Sequence, residues 1–173
     1  AGIFGFAHAV YPATWNFHCK IRYGWEDWEI GLSLALVGVG AAVVQAGLVG
    51  VLVRRIGPFK TAWTGILINA TSLIAFSLAA KPWMAYAIIP LSALGGIGGP
   101  AMNTIITNLT PKDSQGELHG ATTSLGALAL VFSPVVMTQT LHNFSKADAP
   151  SYFPGAAFLL AALMTLLALL PFS

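Results

Sequence analysis

The chain has 173 residues, 56% of them hydrophobic and only 8% charged, where an ordinary soluble domain carries about 25% charged residues. That composition excludes a soluble core of this length, and a formal net charge of +2, scattered along the chain, offers no basic patch for nucleic acid. One cysteine, Cys19, excludes an internal disulfide and leaves the redox compartment unread.

The charges are grouped, and the groups set the elements. They fall at residues 20–29, 54–60, at Lys81, at 112–117 and at 146–148. The uncharged intervals run roughly 20–30 residues, and a helix needs about 20 apolar residues to cross a bilayer. Insertion sweeps charges into loops because a charge at mid-membrane is costly. The pattern predicts an all-α integral membrane protein with about six spanning helices in a single domain over residues 1–173. A β-barrel would show alternating segments of roughly 10 residues, and these runs are continuous.

Helix one is expected over about 1–17, bent near Pro12. The start AGIFGFAHAV has neither a basic leader nor an initiator Met, so the chain is expected to begin inside or just before a helix that was longer in the parent gene product. The loop HCKIRYGWEDWE follows, with Glu26, Asp27 and Glu29 read as a solvated face. Helix two, about 30–53, carries Gly31, Gly38, Gly40, Gly47 and Gly50, small residues expected to let a neighbouring helix approach closely. The basic loop RRIGPFK is expected to turn tightly at Gly57, with Arg55 bonding helix-end carbonyls or a nearby acid. Helix three covers about 61–80, and Lys81-Pro82 turns into helix four, about 83–107. There the run GGIGGP, from Gly95 and Gly96 to Pro100, is expected to loosen the helical ladder. NLTPKDSQGELHG separates helix five, about 121–141, and HNFSKADAPSY separates helix six, about 153–171.

The loops do not orient the chain. With helix one running outward, Arg54, Arg55, Lys60 and Lys112 lie inside and Lys20, Arg22, Lys81 and Lys146 outside, an even split. Trp15, Trp25, Trp28 and Trp83 would then form an outer aromatic belt, with Trp63 at the inner face.

Polar residues within the spans are the functional candidates. His8, Gln45, Asn69 and Asn103 are candidates to line a pathway, with Asn16 and Gln139 also in or near spans. Such groups bond neighbouring helices or face a pathway, so His8, Gln45 and Asn69 are expected to point away from lipid. His8 is the intramembrane group that could titrate near neutral pH. No nucleophile–base–acid set, phosphate loop or carboxylate pair is placed for catalysis, so no enzyme, catalytic residue or cofactor is expected. His18 beside Cys19 lacks the second ligand pair of a metal site.

Several strings occur together and in order: Pro12-Ala13-Thr14, Arg22-Tyr23-Gly24-Trp25, Gly31-Leu32-Ser33-Leu34-Ala35, Gln45-Ala46, then Gly50, Arg55, Gly57 and Lys60. Gly95-Gly96, Pro100-Ala101, Gln115-Gly116, Leu118, Gly120, Ser124-Leu125 and Pro134 continue the series. On these the chain resembles the C-terminal six-helix half of major facilitator superfamily transporters, of the tetracycline-efflux type of drug:proton antiporter. The resemblance implies half of that fold, a 3+3 inverted repeat, with Gly50, Arg55, Gly57, Gly95, Gly96 and Pro100 as conformational motif residues. It puts the basic loop and the QGELHG loop in the cytoplasm, and it implies a multi-pass protein of the bacterial inner membrane.

The departures from the family pattern are specific. Arg54 stands where the basic-loop motif has Asp, and Pro58 where it has a second Arg. Asn69 stands where tetracycline-efflux proteins carry an acid. The implied N-terminal half is not in the sequence. Two functions are therefore expected: a transporter half-module handling a small molecule, or a transport-inactive structural subunit of a larger membrane complex. The partners are the lipid bilayer and a missing N-terminal half, a second copy or other membrane subunits.

Overall fold

The computed structural model describes residues 2–146 and 152–169, and among them all regular structure is helical. Ala1, Asp148 and Pro171, at which the sequence placed a helix start, a loop charge and a helix end, lie outside the described residues.

The first expected crossing, residues 1–17, falls on α1 (Gly2–His8) and the start of α2 (Val10–Tyr23). The interruption falls where Pro12 has no N–H to offer the His8 carbonyl, four residues back, while the bonds on either side, Ala9 N to Gly5 O and Ala13 N to Ala9 O, are kept. The helix then runs on to Tyr23, past the expected end near Phe17. Gly24, with φ 65°, ends it, donating its N–H to Lys20 O.

The second crossing starts earlier than the charges suggest. Glu29 accepts the Glu26 N–H at 2.9 Å, which caps α3 (Asp27–Val43) and draws Asp27 and Glu29 into its first turn, where acids suit the helix dipole. A π-helical turn, Val44–Leu48, joins α3 to α4 (Val49–Ile56). Gly57, with φ 85°, turns the chain directly into α5 (Pro58–Leu78), with Pro58 in its first turn.

The fourth crossing is broken as GGIGGP predicts. Helix α6 (Pro82–Gly95) and α7 (Gly98–Leu109) meet at Gly96 and Ile97, whose N–H groups bond Ala93 O and Leu94 O in tightened turns. Pro90 in α6 does not interrupt its helix. A short 3-10 turn, Lys112–Ser114, leads into α8 (Gln115–Ser145), which runs unbroken through Pro134 and starts six residues before the expected boundary of 121. The last helix described is α9 (Ala156–Leu167).

Among the described residues four helical stretches are long and apolar enough to cross a membrane, Asp27–Ile56, Pro58–Leu78, Pro82–Leu109 and Lys112–Ser145, with Ala156–Leu167 a shorter apolar helix. Helix α5 is the centre, packed on α6, α7 and α9, while α3 packs on α6, α1 on α8 and α9, and α2 on α8. The core beside α5 is aromatic: Trp15 meets Phe76 edge to face at 5.1 Å and Phe158 at 6.1 Å.

Two expectations are corrected here. Trp15 and Trp25 are buried, and Trp15 Nε1 donates to Ser33 Oγ at 2.9 Å; Trp28 and Trp83 alone of the proposed outer belt are largely exposed. Of the glycines of the second crossing, Gly40 alone seats a neighbouring helix, at Ala93. A Cβ at Gly31, Gly38, Gly47 or Gly50 would meet nothing. Closer approach occurs elsewhere, where α5 crosses the α6–α7 break. A Cβ at Gly65 would strike the Gly98 backbone, and one at Gly95 would lie 2.8 Å from the Asn69 backbone.

Candidate functional site

A cleft of about 450 Å³ lies between α1, α7 and α8, within the range of small-molecule sites. Two helical faces make its walls. On α7 the residues Gly99, Met102, Asn103, Ile106 and Thr107 recur at three- and four-residue spacing, and on α8 the residues Leu118, His119, Thr122, Thr123, Leu125 and Gly126 do the same. The floor is α1, through Gly2, Phe4 and Gly5. Gly99 leaves room for Phe4: a Cβ there would sit 3.7 Å from its ring.

The lining pairs an apolar set with an amide, an imidazole and three threonine hydroxyls. Thr122 spends its proton on the helix, donating to Leu118 O at 2.9 Å, so it presents lone pairs to the cleft. Among the described residues no carboxylate lines the walls. The cleft can thus hold a small amphipathic molecule by apolar contact and neutral hydrogen bonds, and it has no acid of its own to pair with a cation. Among the described residues no group of three or more His, Cys, Asp or Glu could hold a metal ion.

Of the candidate pathway residues, the structure brings two to this end. Asn103 lines the cleft. His8 closes α1, exposed on one side, with its ring stacked on Phe4 at 5.8 Å and edge-on to Tyr11 at 5.1 Å. Asn69 is elsewhere. It is fully buried in α5 against Gly95, and neither amide atom has a hydrogen-bond partner. Gln45 lies in the π-helical turn and is exposed on the surface of this bundle.

The motif residues separate in the same way. Gly95, Gly96 and Pro100 form the helix break. Gly57 makes the turn, while Gly50 and Arg55 are exposed on α4. Arg54, not Arg55, bonds a helix carbonyl, donating from Nε to Gly50 O at 3.1 Å.

Sequence reading missed the α8 wall, because His119, Thr122 and Thr123 were assigned to a loop and to an ordinary span start. Their spacing against Asn103 and Thr107, each a helical turn apart, was the available signal. It also missed the bond of Ser92 to the Tyr11 hydroxyl at 3.1 Å, which joins α6 to α2.

Residues 1–134 match the model of a protein family described as Major Facilitator Superfamily. Curated relatives agree. A tetracycline resistance protein, class G, of Vibrio anguillarum is 33% identical over 129 residues, covering 75% of this chain and 33% of the relative. The class C protein of Escherichia coli is 31% identical over 158 residues, covering 91% of this chain and 40% of the relative. The human hippocampus abundant transcript 1 protein is 24% identical over 166 residues, covering 82% and 33%. The chain thus spans between a third and two fifths of the length of these relatives. No solved structure matches it.

Proposed function

The chain belongs to the major facilitator superfamily of integral membrane transporters, and from that premise we propose that it is a half-module contributing one wall of a small-molecule transport pathway of the drug:proton antiporter type. The observation that carries the proposal is the cleft between α1, α7 and α8, which joins apolar walls to the Asn103 amide and the His119 imidazole. In the proposal the six crossings, arranged as a 3+3 inverted repeat, sit in the bacterial inner membrane with the Gly57 turn and the start of α8 in the cytoplasm. The pathway is completed by a second six-helix half, either an N-terminal segment or another copy, because alternating access rocks one half against the other.

A second reading is supported by Asn69. An acid at that place could release a proton, and a buried amide cannot. With no carboxylate in the cleft either, the chain alone is expected not to catalyse proton-coupled efflux, and would serve as a structural subunit of a larger membrane complex.

Reconstitution separates the readings. Purified chain in proteoliposomes, with a pH gradient imposed, is assayed for uptake of labelled tetracycline. Uptake that collapses with an uncoupler and is lost in His8→Ala supports transport by a homodimer. No uptake, with stable co-purification of other membrane subunits, supports the structural role.

A further inference from the structure

At the end of the bundle opposite the Gly57 turn, three chain segments are fastened together. The last turns of α2 supply the fastening. His18 Nδ1 lies 3.1 Å from the Pro154 carbonyl, just before α9. One turn on, Arg22 Nε donates to Ala79 O at 3.1 Å and the Tyr23 hydroxyl to the same oxygen at 3.3 Å, at the end of α5. Gly155 is pressed on the Ser77 backbone so closely that a Cβ there would overlap the Ser77 carbonyl. The clasp therefore holds the start of α9 against α2 and α5.

His18 is the unusual member. It is fully buried, edge-on to Phe158 at 4.8 Å and to Tyr23 at 5.6 Å. The Pro154 oxygen can only accept, so Nδ1 carries the hydrogen and Nε2 keeps its lone pair. Nε2 is buried and has no partner. A proton added there would create a cation in an aromatic shell with its new N–H aimed at no acceptor, a doubly costly state. In water the same ring takes a proton freely.

We propose that His18 is a proton-binding site which the closed clasp excludes and the open clasp admits, so that acid releases the start of α9 from α2 and α5. This is independent of whether the chain moves a substrate.

Among the described residues the surroundings leave His18 as the responsive group. Helix α9 contains no titratable residue, and the one on α5, Lys60, lies at its opposite end. Helix α8 ends in exposed His142 and Lys146. Lys20 and Asp27 pair with each other at 2.7 Å in solvent. Burial pushes the Tyr23 phenol up to about 12, and Cys19 is a buried thiol. His18 lies beyond the apolar stretch that ends at Phe17, and burial holds its imidazole well below the ordinary value, at about 4; the Pro154 carbonyl acts the other way and Arg22 adds to the depression. The sign follows. The open clasp binds more protons, so the clasp is intact above about pH 6.5, the ordinary imidazole value, and is progressively released as pH falls from there toward 4. Between pH 7.5 and 5.5 the open population should rise about tenfold.

Cys19, the one cysteine of the chain, is fully buried next to His18 in the sequence of α2 and serves as the reporter of the opening. Purified chain in detergent is reacted with 4,4′-dithiodipyridine, which retains its reactivity in mild acid, and each rate is divided by that of the unfolded chain at the same pH. A ratio that rises about tenfold from pH 7.5 to 5.5, and that stays flat in His18→Gln, is the expected result. A flat ratio in the unsubstituted chain overturns the proposal, as does a rise that persists in His18→Gln. Should His18→Gln fail to fold, a chain with His8, His119 and His142 all changed to Gln decides: a retained rise supports His18, and a lost rise overturns it.

Discussion

Two neighbouring crossings, joined only by Gly57, are built on opposite terms. In Pro58–Leu78 56% of the apolar window is buried in the bundle, and its mean hydropathy is 1.4; in Asp27–Ile56 only 6% is buried and the mean hydropathy is 2.3. The buried helix is the less hydrophobic one. Its interior side carries Thr61, Asn69, Ser72 and Ser77, all fully buried. The outer helix presents Leu32, Leu36, Val39 and Val43 outward. In water this ordering would be unstable. In a bilayer it is expected, because lipid solvates apolar surface as well as a protein core does, so association rests on close packing and interhelical hydrogen bonds. Small and polar residues therefore collect inside.

The largest way to break this contrast is to charge the inside. Asn69→Asp buries a carboxylate against Gly95 with no partner, and should lower stability by about 4 kcal/mol at pH 7, read as a fall in the detergent melting temperature. Acidification should return part of the loss as the carboxyl takes a proton. Asn69→Leu, which removes an unpartnered amide, should cost little or raise the melting temperature, since buried unsatisfied groups cost about 1–3 kcal/mol. A large loss from Asn69→Leu would show that the amide is satisfied in the working protein.

The next test compares glycines. Gly65→Ala forces a methyl group into the Gly98 backbone and should cost about 2–3 kcal/mol, seen as reduced folded yield on size-exclusion chromatography. Gly38→Ala on the outer helix meets nothing and should be neutral or slightly stabilising, within about 0.5–1 kcal/mol. Equal effects at the two positions would erase the distinction between the crossings.

A smaller loss than at Gly65 belongs to the joint between them. Gly57→Ala keeps the chain but strains a backbone at φ 85°, and about 1–2 kcal/mol of stability should be lost. Thermal unfolding followed by tryptophan fluorescence would measure it; an unchanged midpoint would count against a constrained turn.

The same contrast explains what the sequence could and could not reveal. Charges mark loops because a bilayer expels them, so the four long apolar helical stretches were legible from spacing, and Pro12 and GGIGGP marked real interruptions. Helix ends were less legible. Arg22 and Tyr23 continue α2 because their side chains reach back to Ala79 O, and Asp27 joins α3 because acids favour a helix start; neither fact shows in hydropathy. Which polar residue is inside was not legible at all. Asn69 and Gln45 are both amides in apolar runs, yet one is sealed against Gly95 and the other lies exposed in a π-helical turn. Sidedness needs the partner helix, and in so apolar a chain periodicity carries little of it. The Asn103 face of the cleft was visible as an intramembrane amide, while its α8 wall was hidden among ordinary threonines.

The break between α6 and α7 has a mechanical consequence. Two rods meet at Gly96 and Ile97, and α7 bears on α5 at the Gly65–Gly98 contact, which acts as a fulcrum close to the joint. From Gly98 to Leu109 the lever arm is about 18 Å at 1.5 Å per residue, so a tilt of about 10° at the joint swings the far end by about 3 Å. Asn103 and Ile106 ride on that arm while the opposing threonines of α8 do not. Small rotations at Gly96 and Ile97 would thus be geared into changes in the width of the cleft.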